Sequence, residues 1–567
     1  MNRKLIEKAD TLLSKEKGTI FKDPGGKINI CLVYPNTYHV GMSNLGFQGI
    51  YGLLNKRDDV VCERAFLPDE KDIEEYRRTD TPVFSLESKR PLNRFDIVAF
   101  SISFENDYPN ILKILDISKI PFSSSERNEY HPLLIAGGVC CFFNPEPVAP
   151  VFDIIFVGEA EESLNEFLDV YSTPLKSPLG KGGRMGVNDM KKEAINIEGI
   201  YIPEFYDIKY APDGRIVERI AKHGAPEKIK RRYIKDLSLS PVTTAITTPE
   251  AEFSNMYLIE AMRGCPWKCK FCLVGHIYSP VRKKELETIK AEIEKAKKLQ
   301  IPPTPPFTKG GKGGVRIGLI GPSLTDYAYI KDVLCIDGVD FSITSLRASE
   351  KSAELVELLK GHKSVSIAPE AGTERMRRVV NKKITENDIL NTSELILNAG
   401  IENLRLYFII GLPTETNEDI SGIVEIVKKV RRISSKGNII LSVSTFVPKP
   451  FTPFQWHPME PLDSVKEKLK FIKKALRDEK GVKVFHDVPK YAHMQGLFSV
   501  GDRRVFNVLK AMVKADDYKV ACSLAGVDIG FYIFRKKDYD EVLPWDFIDT
   551  GISKERLWDE YMEAMNV

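Results

Sequence analysis

Residues 256–272 read MYLIEAMRGCPWKCKFC, an apolar run that leads into three cysteines within eight residues. The apolar run has the length and composition of a buried β-strand. Cys265, Cys269 and Cys272 follow it with the spacing C-x3-C-x2-C, which places three thiols in one loop. Packing alone does not account for three adjacent thiols, so this segment predicts a metal or cluster site at the end of a strand.

The cysteines open a longer alternation of apolar runs and amphipathic stretches that fills residues 251–450. Six such units predict six parallel strands with outer helices, which is the pattern of an incomplete (β/α)6 barrel. Barrels of this kind work at the carboxyl ends of their strands. Because the cysteines follow the first strand, we expect them at that working face.

Residues 1–170 show a similar alternation, which predicts a parallel sheet with helices on both faces, hence a doubly wound, Rossmann-like domain. Ligands of such domains bind at the loops that follow the strands. The sequence therefore predicts ligand contacts from the loops at 36–46, 101–107, 136–138 and 158–162.

The remaining segments have less regular patterns. Residues 171–250 are predicted to form an insertion and a strand-rich connector, and residues 451–567 a mixed α/β C-terminal domain. The stretches 171–195 and 302–314 are rich in proline, glycine and lysine, so we expect mobile insertions without a catalytic role.

The composition of the 567 residues is that of a globular protein, with 43% hydrophobic and 28% charged residues. The 82 basic and 79 acidic residues nearly cancel, which gives no indication of nucleic acid or an anionic membrane as a partner. No apolar run is long enough to span a membrane, and the first residues lack the apolar core of a signal peptide. Six further cysteines are scattered, as in reducing compartments. We therefore expect a cytoplasmic protein.

Three thiolates from one loop suit a [4Fe-4S] cluster, because three ligands for four irons leave one iron open. An open iron can chelate the amino and carboxylate groups of a small molecule. A structural zinc site is an alternative, but it requires four ligands, and His276 is the only nearby candidate for the fourth. A cluster that only transfers electrons is a further alternative.

The cysteine motif after a first barrel strand resembles the radical S-adenosylmethionine (SAM) superfamily. Four longer stretches extend the resemblance to uncharacterised radical SAM proteins that carry an N-terminal cobalamin-binding-like domain. These stretches are NTYHVGMSNLG (36–46), IYSPVR (277–282), APEAGTERMRRVVNK (368–382) and FVPKPFTPFQW (446–456). The resemblance implies an α/β protein with a cobalamin-binding-like domain, a partial radical SAM barrel and a C-terminal tail.

The resemblance also implies which residues bind the cofactors. Cys265, Cys269 and Cys272 are expected to ligate the cluster, and Phe271, directly before the third cysteine, to lie near adenine. The other expected SAM contacts are Gly321 and Ser323 for the methionine amine, Ser345 and Arg347 for the ribose or carboxylate, Glu370 for the ribose or ammonium, and Gly411 for adenine.

The activity implied by the resemblance is one-electron reduction of SAM by the cluster. Cleavage gives methionine and a 5′-deoxyadenosyl radical, which then abstracts hydrogen from a substrate that the sequence does not identify. The resemblance implies a reducing partner such as flavodoxin or ferredoxin. Alternatives are a cobalamin-dependent radical SAM methylase, an RNA-modifying enzyme, and a non-enzymatic iron-sulfur scaffold. Methylthiolating RNA enzymes carry a second cysteine trio upstream, and the upstream cysteines here are not so spaced.

A corrinoid is the second cofactor to consider. Cobalamin domains that displace the lower base use D-x-H-x-x-G, whereas residues 36–41 read N-T-Y-H-V-G. Tyr38 stands where the cobalt-ligating histidine is expected, Asn36 where the aspartate is expected, and His39 is one position away. A neutral phenol is a poor cobalt ligand at pH 7. The sequence therefore favours a domain that binds a substrate or partner, with cobalamin as the alternative.

Overall fold

The computed structural model describes residues 2–173, 186–240, 242–299, 315–343, 345–360, 362–515 and 517–567. The predicted insertion at 302–314 and residues 174–185 of the predicted insertion at 171–195 lie outside the described residues. Among the described residues, no helix is both long and apolar enough to cross a bilayer.

The N-terminal part forms a sheet with the strand order β2-β1-β3-β4-β5-β6. The first five strands are parallel and the last pairs antiparallel with β5. The strands are β1 (Ile28–Tyr34), β2 (Val60–Phe66), β3 (Ile97–Ser101), β4 (Leu133–Gly137), β5 (Ile154–Phe156) and β6 (Ile200–Tyr201). The helices are α1 (Arg3–Ser14), α2 (Tyr38–Gly41), α3 (Leu45–Lys56), α4 (Glu70–Arg78), α5 (Tyr108–Ser118), α6 (Val139–Phe143), α7 (Ala160–Ser172) and α8 (Val187–Ala194).

This strand order confirms the doubly wound prediction. Chain connections reverse direction between β1 and β3, and such switch points are where doubly wound sheets bind ligands. Strand β2 is buried along its whole length, as expected for a sheet covered on both faces.

Helix α8 corrects the prediction for residues 171–195. The sequence predicts an insertion without periodicity, but residues 187–194 are helical, with Met190 and Ala194 buried. The buried ammonium of Lys191 pairs with Asp153, at 3.2 Å, and with Glu204, at 3.0 Å. These ion pairs fix the helix to the domain.

The connector forms β7 (Tyr206–Tyr210) and β8 (Ile216–Ala221), an antiparallel hairpin around the predicted turn at 212–214, followed by β9 (Ile229–Lys230). A short antiparallel pair, β11 (Met262–Arg263) and β12 (Arg282–Lys283), follows the first barrel strand, β10 (Tyr257–Glu260).

The barrel strands run in sequential order and are all parallel. After β10 they are β13 (Val315–Ile320), β14 (Val339–Ser342), β15 (Ser345–Leu346), β16 (Ser364–Glu370), β17 (Asn403–Ile410), β18 (Asn438–Thr445) and β19 (Val482–His486). The third predicted strand is divided into β14 and β15, which belong to a three-stranded and a five-stranded sheet. The partial barrel is therefore confirmed.

Strand β19 corrects the predicted boundary at 450. It pairs with β18 over five residues and adds a seventh parallel strand to the predicted six. The helix before it, residues 462–476, buries Val465, Leu469 and Ile472, and these three residues belong to the barrel core. One more strand-helix unit therefore belongs to the barrel.

The barrel helices are α9 (Val274–Ile277), α10 (Leu286–Lys298), α11 (Ile330–Leu334), α12 (Lys351–Leu358), α13 (Glu374–Val379), α14 (Glu386–Asn398), α15 (Asn417–Ile433) and α16 (Leu462–Leu476). The C-terminal elements are α17 (Pro489–Val500), α18 (Val505–Met512), α19 (Tyr518–Leu524), α20 (Ile529–Ile533), β20 (Ile548–Asp549) and α21 (Lys554–Met565). Strand β20 pairs with β9.

The C-terminal segment packs on the N-terminal domain, and the two share one hydrophobic core. The rings of Tyr108 and Phe498 lie 5.7 Å apart, and Asn144 Nδ2 donates hydrogen bonds to the carbonyl oxygens of Ser499 and Gly501. The barrel has a second core of its own.

Candidate functional site: the cysteine loop and the interdomain cavity

The cysteine loop, residues 264–281, is enclosed by the short pair β11 and β12. Gly264 has φ +84°, and a Cβ there would lie 2.5 Å from the carbonyl oxygen of Tyr278, so only glycine fits the start of the loop. Cys269 is buried, whereas Cys265 and Cys272 are partly exposed. The loop follows the first barrel strand, as predicted.

Residues distant in sequence hold this loop in place. Asn381 Nδ2 donates hydrogen bonds to the carbonyl oxygens of Trp267, at 3.2 Å, and Lys268, at 3.1 Å. The buried ammonium of Lys270 lies 2.7 Å from the carboxylate of Glu563 on α21. The loop is therefore fixed by the fourth barrel unit and by the last helix.

Burial raises the pKa of all three thiols, that of Cys269 to about 12, while the nearby cation Lys382 opposes the rise at Cys265 and Cys269. Thiols bind metal as thiolates, so a bound cluster replaces these protons. No three His, Cys, Asp or Glu side chains in the described parts of the chain are arranged to hold a single ion.

His276 is directed at the protein backbone. It is buried, and burial lowers its pKa to about 4. Its Nε2 lies 3.3 Å from the carbonyl oxygen of Cys269, which can only accept, so Nε2 carries the proton of this contact. With Nε2 engaged, only Nδ1 is open to a metal, and among the described residues His276 does not form a metal-binding group with two further Cys, His, Asp or Glu side chains.

Trp267 connects two of the predicted SAM contacts to the cysteine loop. The guanidinium of Arg347 lies 3.5 Å from the centroid of the Trp267 ring, a cation–π contact. Trp267 Nε1 donates to Asp326 at 2.6 Å, and the Ser323 hydroxyl donates to the same carboxylate at 2.7 Å. Arg347 therefore contacts the cysteine loop directly, and Ser323 is linked to it through Asp326. Sequence reasoning did not single out Trp267.

Glu370 has a cationic partner that sequence reasoning missed. It has φ +67° at the end of β16, and its carboxylate lies 3.0 Å from Lys382 Nζ. Burial lowers the pKa of Lys382, but Glu370 and Cys269 outweigh burial, so the pKa is raised and the ammonium stays charged. Lys382 ends the stretch 368–382, and that was its only signal in the sequence.

The other four predicted SAM contacts differ in their burial and packing. Gly411 has φ +79°, is buried, and its N–H donates to Glu415 at 2.8 Å. Phe271 is half-buried and packs against the first core. Gly321 is packed so closely that a Cβ would lie 2.6 Å from Met262, and Ser345 is exposed on β15.

A cavity of about 630 Å³ lies between the N-terminal domain and the barrel. It adjoins the cysteine loop, and its walls are largely apolar. The N-terminal domain contributes Asn44, Ser101, Ser103, Gly137, Gly138, Gly158, Glu159 and Glu161, and the barrel contributes Glu260, Arg263, Gly264, Val274, Tyr278, Gly321 and Ser345. Residues from all four predicted ligand loops of the N-terminal domain therefore face the cysteine loop across one space.

The polar side chains at 36–39 make contacts within the protein. The Tyr38 hydroxyl donates to Glu16 at 2.7 Å. His39 Nδ1 lies 2.8 Å from the carbonyl oxygen of Glu250. None of the described residues that line the cavity is a histidine. The residues therefore do not fit a corrinoid held by a protein imidazole.

The comparisons with known proteins agree with this architecture. Residues 46–203 match the family model described as "Radical SAM proteins, N-terminal", and residues 259–427 match "Radical SAM superfamily". The uncharacterized protein MJ0966 of Methanocaldococcus jannaschii is 31% identical over 492 residues, which are 85% of this chain and 90% of that protein.

More distant matches are enzymes. The threonylcarbamoyladenosine tRNA methylthiotransferase MtaB of Aquifex aeolicus is 21% identical over 285 residues, 47% of this chain and 64% of that protein. The cobalamin-dependent SAM radical enzyme OxsB, solved with aqua-cobalamin and SAM, is similar at a TM-score of 0.47 with 13% identity, over 95% of this chain and 80% of that chain.

Proposed function

The chain belongs to the radical SAM superfamily and is an enzyme of that class, and we propose that Cys265, Cys269 and Cys272 hold a [4Fe-4S] cluster that reductively cleaves SAM. The observation that carries this proposal is the position of three thiols in one braced loop at the end of the first barrel strand. The bound cluster supplies the electron that splits SAM into methionine and a 5′-deoxyadenosyl radical.

The chain's own residues support SAM binding beside this loop. We assign the ammonium of Lys382 and the guanidinium of Arg347 to the carboxylate of the methionine moiety, because both are cations next to the cysteines. Glu370 is the acceptor for the ammonium or ribose hydroxyls. The predicted roles of Phe271 and Gly411 at adenine remain part of this proposal.

The remaining SAM assignments lie at or near the cavity. Gly321 and Ser345 line it, and Ser323 lies two residues after Gly321. We assign the substrate to the interdomain cavity, because its largely apolar walls exclude water from a reactive species formed at the cysteine loop. An external reductant such as flavodoxin or ferredoxin delivers the electrons.

Two alternatives gain less support from the site. A corrinoid-dependent methylase needs cobalt held in the cavity. The side chains of Tyr38 and His39 are engaged within the protein, so neither is available as a ligand to that cobalt. A methylthiolating RNA enzyme needs a second set of cluster ligands, yet Cys31, Cys62, Cys140 and Cys141 are all buried in the first core. These thiols do not form a partly exposed loop like the one at 265–272.

Iron analysis after anaerobic reconstitution tests the cluster. We expect a brown protein with about four irons per chain and the electron paramagnetic resonance (EPR) signal of a reduced [4Fe-4S] cluster. Replacing Cys265, Cys269 and Cys272 with alanine should remove the iron and the signal. A triple variant that keeps both would refute the assignment, and one tightly bound zinc per chain would favour the zinc alternative.

A further inference from the structure

The base of the cysteine loop carries two arginines side by side. Arg263 on β11 and Arg282 on β12 are register partners in the antiparallel pair that encloses the loop. Like charges directly opposite each other on neighbouring strands repel. The loop base therefore needs a counter-charge to keep its two strands together.

Glu159 of the N-terminal domain supplies that counter-charge to both strands. Its carboxylate receives two parallel hydrogen bonds from Arg282, at 2.7 and 2.8 Å, and lies 2.8 Å from Arg263. Burial raises the pKa of Glu159, but the two arginines outweigh burial and lower it, so the carboxylate stays ionised. The Glu159 side chain is 2% exposed.

The two arginines depend on Glu159 to different degrees. Arg263 also pairs with Glu161, at 3.0 Å, and with Glu260, at 2.7 Å. Apart from Glu159, the side chain of Arg282 has hydrogen bonds only to carbonyl oxygens among its described contacts. Loss of the Glu159 charge therefore leaves Arg282 as a buried cation without an anionic partner, at the C-terminal end of the loop.

The same segment of the N-terminal domain forms part of the cavity wall. Gly158, Glu159 and Glu161 line the cavity. Gly158 has φ +114°, and a Cβ there would lie 2.2 Å from the carbonyl oxygen of Arg232, so the backbone at this point is closely packed. A molecule in the cavity therefore touches the segment that holds the loop base.

We propose that Glu159 is a positioning residue through which the N-terminal domain, and whatever occupies the cavity, sets the geometry of the cysteine loop. This inference rests on the proposed function, because its effect is read at the cluster. It assigns the N-terminal domain a role in cofactor chemistry that does not require a corrinoid.

The test compares Glu159→Gln with Glu162→Gln in reconstituted full-length protein. Glu162 lies in the same segment but makes an exposed ion pair with Arg232, so it is a matched control. We expect Glu159→Gln to lower kcat for SAM cleavage about tenfold or more, with a smaller change in KM, because misplaced groups slow the reaction more than they weaken binding. Its EPR spectrum with SAM should also change, whereas Glu162→Gln should match the parent. A Glu159→Gln protein with parental kcat and spectrum would overturn the proposal.

A double variant separates positioning from stability. Glu159→Gln with Arg282→Gln removes the stranded cation, and a buried charge without its partner is what destabilises the single variant. We expect the melting temperature to recover while kcat and the EPR spectrum stay altered. Recovery of all three would show that Glu159 acts only on stability. If the parent protein itself lacks the cluster, the proposed function fails instead.

Filling the cavity tests whether Glu159 transmits a change in the cavity to the cysteine loop. A side chain at Gly137 has room, since a Cβ there would lie 3.8 Å from Phe156 Cβ, and Gly137→Phe therefore projects an aromatic ring at the cavity wall. We expect this substitution to change the EPR spectrum in the parent and to have less effect in Glu159→Gln, as coupled positions do in a double-mutant cycle. Equal effects in both backgrounds would contradict transmission through Glu159.

Discussion

At the scale of single residues, the cysteines can be proposed as cluster ligands from the sequence alone, because that chemistry depends on spacing within one loop. Lys382 and Trp267 could not, because their importance depends on contacts made across the fold. Lys382 lies more than a hundred positions after the cysteines, yet its charge affects the pKa of Cys269. The resemblance proposes Arg347 as a SAM contact from its position after the third strand, but its stacking on Trp267 appears only in the tertiary structure.

Lys382→Met should raise the KM for SAM about 10- to 100-fold while the iron content stays near four per chain. The reason is the loss of a charge-assisted hydrogen bond to the methionine carboxylate, which contributes about 1.5–3 kcal/mol. Lys383→Met is the matched control, because Lys383 is the next residue and its side chain is exposed. Steady-state cleavage kinetics check the prediction. An unchanged KM in Lys382→Met would remove Lys382 from the SAM site.

At the scale of elements, periodicity predicted the strand-helix units that are buried on one face or more. Strand β19 was missed because it is an edge strand whose residues are all exposed or half-exposed, so it lacks an apolar run. Helix α8 was missed because it follows a proline- and glycine-rich stretch and buries only two apolar residues, Met190 and Ala194, beside the ion pairs of Lys191. Ion pairs of this kind leave no periodic signal in a sequence.

Asn381→Gly should weaken cluster retention through the cysteine loop. Asn381 has φ +55°, which glycine adopts without strain, so the substitution removes the two hydrogen bonds to the loop and little else. We expect fewer irons per chain after desalting and faster loss of the cluster colour in air. Asn398→Ala, at an exposed helix end, is the control. Equal iron retention in both variants would show that the loop does not depend on Asn381.

At the scale of the whole molecule, the sequence predicted two α/β units but not how they meet. The cavity is formed by residues that are more than a hundred positions apart in the sequence, such as Gly137 and Gly264. Alternation of apolar residues indicates local structure, but it does not indicate which distant segments come together in space. The C-terminal segment likewise packs on the N-terminal domain through Phe498 and Asn144, a contact that no local pattern indicates.

Incubation with hydroxocobalamin tests what the cavity accepts. Because Tyr38 and His39 are held by Glu16 and the backbone, we expect no protein nitrogen on cobalt. Since the sequence favours a domain that binds a substrate or partner, we also expect no corrinoid to be retained after desalting. The measurements are the absorption spectrum and, after reduction to Co(II), the EPR spectrum with a corrinoid that lacks its own lower base. Nitrogen superhyperfine splitting in that spectrum would contradict this reading of residues 36–41.

The most direct test of the central claim is SAM turnover by the reconstituted protein with dithionite under anaerobic conditions. We predict that 5′-deoxyadenosine and methionine form together, and that the triple alanine variant of Cys265, Cys269 and Cys272 forms neither. A protein that carries about four irons per chain but yields no 5′-deoxyadenosine would contradict the proposed activity and identify the chain as an iron-sulfur scaffold.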